Sequence, residues 1–363
     1  MSSSPPTRDT LAIAPKVLLH DHLDGGLRPQ TVIELADEFG YAGLPTTDPT
    51  ELAQWMTRGA DRKDLVLYLD TFAHTTGVMQ TTNALHRVAS ETAEDLIADG
   101  VVYAEVRFAP ELHVEQDLEM DDVVEAVTAG FAEASEGTPL TIRTICSAMR
   151  QNSRSLEVAQ LAVRWRDSGV VGFDIAGPEK GFPPDDHMLA FQFAQRENFH
   201  FTIHAGEAYG PKSIWKALQW CGAERLGHGV RICDDIEISE DGEATLGRLA
   251  DSIRDRRVPL EVCPTSNLHT GVVDDLADHP IKLFKDLKFR VTLNTDNRLM
   301  SNISMTDEME NMVRVFGWDL LDMQWLTVNA MKSAFLPFDE RLTLINEVIK
   351  PTYAELRGVA TAT

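Results

Sequence analysis

Pro15-Lys16-Val17-Leu18-Leu19-His20-Asp21-His22 begins as a short apolar, β-rich run and ends in ionisable side chains. The first strand is read over Lys16–His20. Seven later runs repeat the design: Val101–Arg107, Leu140–Cys146, Val170–Ile175, Phe201–His204, Arg225–His228, Leu260–Cys263 and Arg290–Asn294. Most are apolar at consecutive positions, as parallel strands covered on both sides are. Helical patterns separate them, among them Asp121–Ala134, Ser155–Asp167, Met188–Glu197, Pro211–Trp220, Gly242–Arg256 and Pro280–Lys285. Such alternation implies right-handed βαβ units. Eight of them predict an α/β fold, a (β/α)8 TIM barrel, as a single domain over residues 13–354 with flexible tails at 1–12 and 355–363. The competing arrangement is an open doubly wound sheet, but no glycine-rich phosphate loop follows the first run.

The gap between the first and second runs is long. Pro29–Phe39, Leu65–Thr76 and Thr81–Ala98 read as helices within it. A helical insertion there sits over the barrel mouth, either as a lid that excludes water or as inert padding.

The whole-chain numbers agree. A single barrel with insertions accommodates 363 residues. Hydrophobic residues make up 43% and charged residues 25%, which argues against wholesale disorder. A net charge of −24 repels nucleic acid and anionic lipid, while a metal cation is welcome in that field. Cys146, Cys221, Cys233 and Cys263 form no CxxC pair and read as reduced thiols. With a polar N-terminus and no apolar run of ~20 residues, the expected location is cytoplasmic, with no membrane partner.

The chemistry lies in where the polar residues fall. Strand one ends in His20-Asp21-His22, strand five in His204-Ala205-Gly206-Glu207, strand six in His228, and strand eight leads into Thr295-Asp296-Asn297. Barrel enzymes gather reactive groups at the C-terminal ends of their strands. His-x-His has the strand period of two, so both rings face one side. Adding His204 and Asp296 gives three nitrogens and one oxygen around an open position, a donor set suited to one Zn2+ per chain. His74, His86, His113, His187, His200, His269 and His279 fall in helices or loops and read as structural.

These segments resemble the adenosine deaminase family. The resemblance rests on Pro15 through Gly25, Phe173-Asp174-Ile175-Ala176-Gly177-Pro178-Glu179, His204-Ala205-Gly206-Glu207, Leu226-Gly227-His228-Gly229, Cys263-Pro264-Thr265-Ser266-Asn267 and Asn294-Thr295-Asp296, in family order. It implies zinc-dependent hydrolytic deamination of adenosine to inosine and ammonia in purine salvage, with 2′-deoxyadenosine as a second substrate. His20, His22, His204 and Asp296 would hold the metal. Glu207, His228 and Asp296 would be catalytic, Glu207 giving a proton to purine N1 and His228 positioning the attacking water and taking up its proton. His22, Asp24, Gly177 and Asn297 would line the substrate: the Gly177 N–H would meet purine N3 and Asp24 the ribose 5′-hydroxyl. For N1 protonation Glu207 must be a neutral acid, which burial favours.

One position departs from the family. Many members carry a second aspartate, which contacts purine N7, where this chain has Asn297 followed by Arg298. An amide donates at any pH, so N7 recognition is expected to survive. The plain alternatives are a helix cap for Asp24 and turn-forming roles for Asn297 and Gly177. The rival activities are deamination of adenine, aminofutalosine or an N6-modified adenosine monophosphate, a two-metal hydrolase, and a catalytically dead binding barrel. Two-metal barrels commonly use a lysine after strand four, and none occurs here before Lys180. The HxE…PCxxC signature of zinc base deaminases is absent.

Overall fold

The computed structural model describes residues 5–358. Eight parallel strands run Lys16–His22, Val101–Phe108, Thr141–Met149, Val170–Ala176, Thr202–Ala205, Arg225–His228, Pro259–Val262 and Arg290–Leu293. They are called the first to eighth strands below. They pair as two four-stranded sheets, first to fourth and fifth to eighth, each neighbour with the next. Single parallel bridges join the sheets at both seams, Phe173 with Phe201 and Asp21 with Asp296. At the second seam His22 N donates to Asp296 O (2.7 Å) and Asp296 N to His20 O (2.9 Å). This closes the ring of the expected (β/α)8 barrel and sets His20 and His22 beside Asp296, which follows the eighth strand.

The second strand shows how the barrel is filled. All eight of its residues are buried. Tyr103, Glu105 and Arg107 share one face by the period of two, and Val102, Ala104, Val106 and Phe108 share the other. The charged face joins a buried ionic network. Arg225 lies 2.6 Å from both Glu105 and Glu261, and Arg107 lies 2.8 Å from Glu261 and 3.1 Å from Asp174. Buried charges survive only when paired in this way. The apolar face belongs to the hydrophobic core.

The structure corrects several boundaries. Residues 8–12, expected in a tail, belong to a helix over Arg8–Ile13 with Thr7 as N-cap and Leu11 buried. The C-terminal tail expectation meets a helix over Lys350–Leu356. Residues 1–4 and 359–363 of those tails lie outside the described residues. The third strand runs on to Met149, which brings Ser147 and Met149 to the barrel mouth. The helix expected over Gly242–Arg256 starts only at Arg248. Before it, Ile236–Ile238 and Ala244–Leu246 form an antiparallel hairpin whose turn contains Gly242 at φ +81°. Asp235 then caps the helix from outside, accepting from Leu249 N and Ala250 N.

The insertion contains helices over Pro29–Phe39, Pro49–Ala60, Leu65–Leu69, Phe72–Val78 and Thr82–Ala98. The Pro49–Ala60 helix was not expected, because its buried stripe is only Leu52, Met56 and Ala60. The expected Leu65–Thr76 helix is split in two. Thr71 Oγ1 donates to Tyr68 O (2.7 Å), a local bond that competes with the helical ladder at the break. Leu65, Tyr68, Leu69, Phe72, Ala73 and Thr76 face the central cavity, so the insertion is a wall of the site and not padding.

Candidate active site

His20, His22 and Asp296 at the seam between the first and eighth strands meet His204 of the fifth strand. His22 Nε2 lies 3.3 Å from His204 Nε2, and Asp296 Oδ1 lies 3.3 Å from His20 Nε2 and 3.4 Å from His22 Nε2. The outer nitrogens are held. His20 Nδ1 lies 2.9 Å from Glu261 Oε2, and His204 Nδ1 lies 2.8 Å from Asp174 Oδ2. A carboxylate at Nδ1 keeps the proton there and turns the Nε2 lone pair inward. The inward lone pair of His20 Nε2 and the Asp296 carboxylate oxygen 3.3 Å away repel unless a cation stands between them. His20 Nε2 is also buried with no hydrogen-bond partner. By both observations the residues fit a metal ion.

His228 stands in the same cluster. One donor atom from each of His20, His204, His228 and Asp296 lies within 4.8 Å of the others. That compact set contains His228 where the sequence reading has His22. The distances separate the two rings. His22 Nε2 meets His204 and Asp296 directly, whereas His228 Nε2 lies 3.5 Å from Glu207 Oε2. His228 and Asp296 both adopt left-handed backbone angles, φ +60° and +64°. Each such non-glycine residue costs on the order of 1–3 kcal/mol, strain that collects at functional sites.

Around these groups lies a cavity of about 210 Å³. Every residue expected to touch substrate or perform chemistry borders it: His22, Asp24, Gly177, His204, Glu207, His228, Asp296 and Asn297. His20 lies behind them, fully buried. Glu207 is 6% exposed, and burial, then the charges of Asp296 and Glu179, push its carboxyl well above the usual range. A raised Glu207 is what proton donation needs. Burial pushes Asp24 up to about 7, and its Oδ1 has no partner. Asp24 lies inside a 3-10 turn, and no side chain caps that turn, so the helix-cap alternative fails.

Asn297 precedes the helix over Arg298–Ser301 without capping it, and its Oδ1 is buried and free. Gly25 is tied to it: a Cβ there would stand 2.0 Å from Asn297 Oδ1. Gly177 has φ +104°, and a Cβ would meet Gln151 Oε1 at 2.6 Å. A side chain there would be strained at that φ and would push Gln151 and Met149 aside, whereas glycine leaves the backbone open to the cavity.

Several supporting residues escaped the sequence reading. Glu179 was quoted only as part of a motif. Its carboxylate accepts from four consecutive amides, Gly206 N, Glu207 N, Ala208 N and Tyr209 N, at 2.7–3.1 Å. It thereby shapes the turn that carries Glu207. Ser266 Oγ donates to Asp296 Oδ2 at 2.6 Å. Arg298 pairs with buried Asp21 at 3.0 Å across the seam. Burial opposes ionisation of Asp174, yet His204 and Arg107 outweigh it and hold the carboxyl at about 2. The available signal was charge out of place: Glu105, Arg107, Asp174, Arg225 and Glu261 interrupt otherwise apolar strands. Tyr68, whose buried hydroxyl has no partner, had no such mark.

The model of the adenosine deaminase family matches residues 15–351. An adenosine deaminase of Streptomyces coelicolor is 61% identical over 98% of this chain and 91% of its own length. An adenosine deaminase of Mycobacteroides abscessus is 59% identical over 95% of this chain and 97% of its own. Among solved structures, an adenine deaminase from Arthrobacter aurescens superposes with a TM-score of 0.82 at 25% identity, covering 98% of this chain and 100% of that one. The site geometry and a match across nearly the whole chain agree, and the chain belongs to the adenosine deaminase family.

Proposed function

We propose that this enzyme deaminates adenosine hydrolytically to inosine and ammonia, and 2′-deoxyadenosine to 2′-deoxyinosine, as a cytoplasmic step of purine salvage. The observation that carries the reading is one cavity in which the buried Glu207, its carboxyl pushed well above the usual range by burial, faces His228 beside the His–Asp cluster. The relatives at 59–61% identity, both named adenosine deaminase, support it.

His20, His22, His204 and Asp296 are assigned as the ligands of one Zn2+, a choice that rests on the N3O donor set. When bound, the ion supplies Lewis acidity that brings water ionisation near neutral pH. The chain's own residues do the rest. Glu207 holds a proton at its carboxyl and delivers it to purine N1, which makes C6 electrophilic. His228 orients the attacking water against C6. The Gly177 amide meets N3, since Pro178 has no N–H to offer. Asn297 donates its amide to N7. Leu65, Leu69 and Phe72 of the insertion cover the ring and exclude water.

Two features select a nucleoside. Asp24 Oδ1, buried and unpartnered, calls for a hydroxyl donor, which ribose has and bare adenine lacks. No Lys or Arg lines the cavity among the described residues, so nothing there compensates a phosphate. The four cysteines are free and no described helix is long and apolar enough to cross a membrane, which supports the cytoplasmic placement. The test is a steady-state panel of adenosine, 2′-deoxyadenosine, adenine, aminofutalosine and N6-methyl adenosine monophosphate, run with metal analysis. The highest kcat/KM is expected for adenosine, with one zinc per chain. A higher kcat/KM for adenine or a nucleotide would overturn the reading.

A further inference from the structure

The two nitrogens of the His228 ring face different surroundings. Nε2 faces the cavity and Glu207, while Nδ1 points away from it and lies 3.1 Å from the side-chain nitrogen of Asn267. That amide belongs to a buried chain of groups that ends on the backbone. Ile281 N lies 3.1 Å from Nδ1 of His279, and His279 Nε2 lies 3.3 Å from Asn267 Oδ1. Asn267 is fully buried, and His279 and His228 are nearly so.

Those heavy-atom positions leave one arrangement of hydrogens. A backbone N–H can only donate, so His279 Nδ1 holds a lone pair. Burial pushes the His279 imidazole down to about 3, so the ring is neutral and carries its single proton on Nε2. That proton goes to Asn267 Oδ1. With its oxygen engaged, Asn267 turns its NH2 to His228. An amide NH2 has no lone pair to offer, so His228 Nδ1 is the acceptor.

We propose that Asn267 and His279 transmit the donor sense of the Ile281 amide to His228 and hold its neutral ring as the tautomer protonated on Nε2. His228 then enters the site as a hydrogen-bond donor to the attacking oxygen. Base action at Nε2 needs the opposite tautomer. That tautomer needs the Asn267 amide turned over, which sets its NH2 against the Nε2–H of His279 in a dry interior. Asn267 and His279 are thus positioning residues. This inference deepens the proposed deamination and rests on it for the identity of the attacking oxygen. The tautomer itself depends only on the three contacts.

Histidine-selective 15N labelling of the metal-loaded protein tests it, with long-range 1H–15N correlations read in the absence of substrate. The His228 signals are identified by their loss in His228→Gln. The expected pattern for wild type is a pyrrole-type Nε2 and a pyridine-type Nδ1 on both His228 and His279. In Asn267→Asp the carboxylate faces Nδ1, and the His228 pattern is expected to reverse or to become doubly protonated. A pyrrole-type Nδ1 on wild-type His228 would overturn the relay, as would an unchanged His228 pattern in a folded Asn267→Asp protein. The wild-type spectrum decides even if that variant does not fold. Protein that shows the expected pattern yet turns over no adenosine would sink the substrate reading and leave the relay standing.

Discussion

Glu179 carries the most demanding prediction. Its two oxygens collect four consecutive amides, one on Oε1 from Gly206 and three on Oε2 from Glu207, Ala208 and Tyr209. Glu179→Gln keeps the shape, removes the charge and replaces one acceptor by an NH2. If the remaining oxygen serves the three amides, the Gly206 N–H is left facing a donor. Hydrogen bonds to a charged group contribute about 1.5–3 kcal/mol and neutral ones about 0.5–1.5 kcal/mol. Losing one bond outright and weakening three therefore costs about 6 kcal/mol at the middle of those ranges. That is a large part of the ~5–15 kcal/mol that holds a typical domain together, so the loss is expected first as local opening of the turn. The chemistry follows, because Glu207 sits on that turn and a displacement of about 1 Å costs on the order of 10²-fold in rate. Two assays check this: amide exchange at residues 206–209 by mass spectrometry, and adenosine turnover followed by ultraviolet absorbance. Faster exchange confined to the turn is expected, with kcat down by about 10²-fold. Wild-type exchange together with wild-type kcat would refute the reasoning.

Other substitutions probe separate parts of the site. Glu207→Gln removes the proton donor and keeps the volume, so kcat should fall about 10²–10⁴-fold with zinc content and Tm unchanged. Retained turnover would show that N1 is protonated from elsewhere. Asn297→Leu removes the amide facing N7 and should raise KM more than it lowers kcat, and an unchanged kcat/KM would remove that contact. Arg107→Met strands Asp174 and Glu261 as buried charges and should cost about 3–5 kcal/mol, read as a drop in Tm or in the urea midpoint. The same change frees the carboxylates behind His20 and His204, so zinc affinity measured against a chelator should also change.

The parts of this protein that could be read along the chain are those whose meaning is local. Strand periodicity puts His20 and His22 on one side, and the run–turn–helix rhythm implies a barrel whose strand ends converge. The family motifs carry Glu207, His228 and Gly177 with them. Local reasoning failed where a nearby contact overrules a pattern, as Thr71 does at the break near Tyr68 and as the Gly242 turn does ahead of Arg248. It also failed for the Pro49–Ala60 helix, where three buried residues gave too thin a stripe.

Sequence alone determined which residue types stand at the mouth of the barrel, because alternation and strand-end position need no knowledge of neighbours. Only the tertiary structure decided who holds them. His20 meets Glu261 across 241 positions, His204 leans on Asp174, and His228 reaches Ile281 through Asn267 and His279. Proton placement and ring orientation depend on such partners, and a partner is chosen by the closing of the barrel in space, which no periodicity along the chain records.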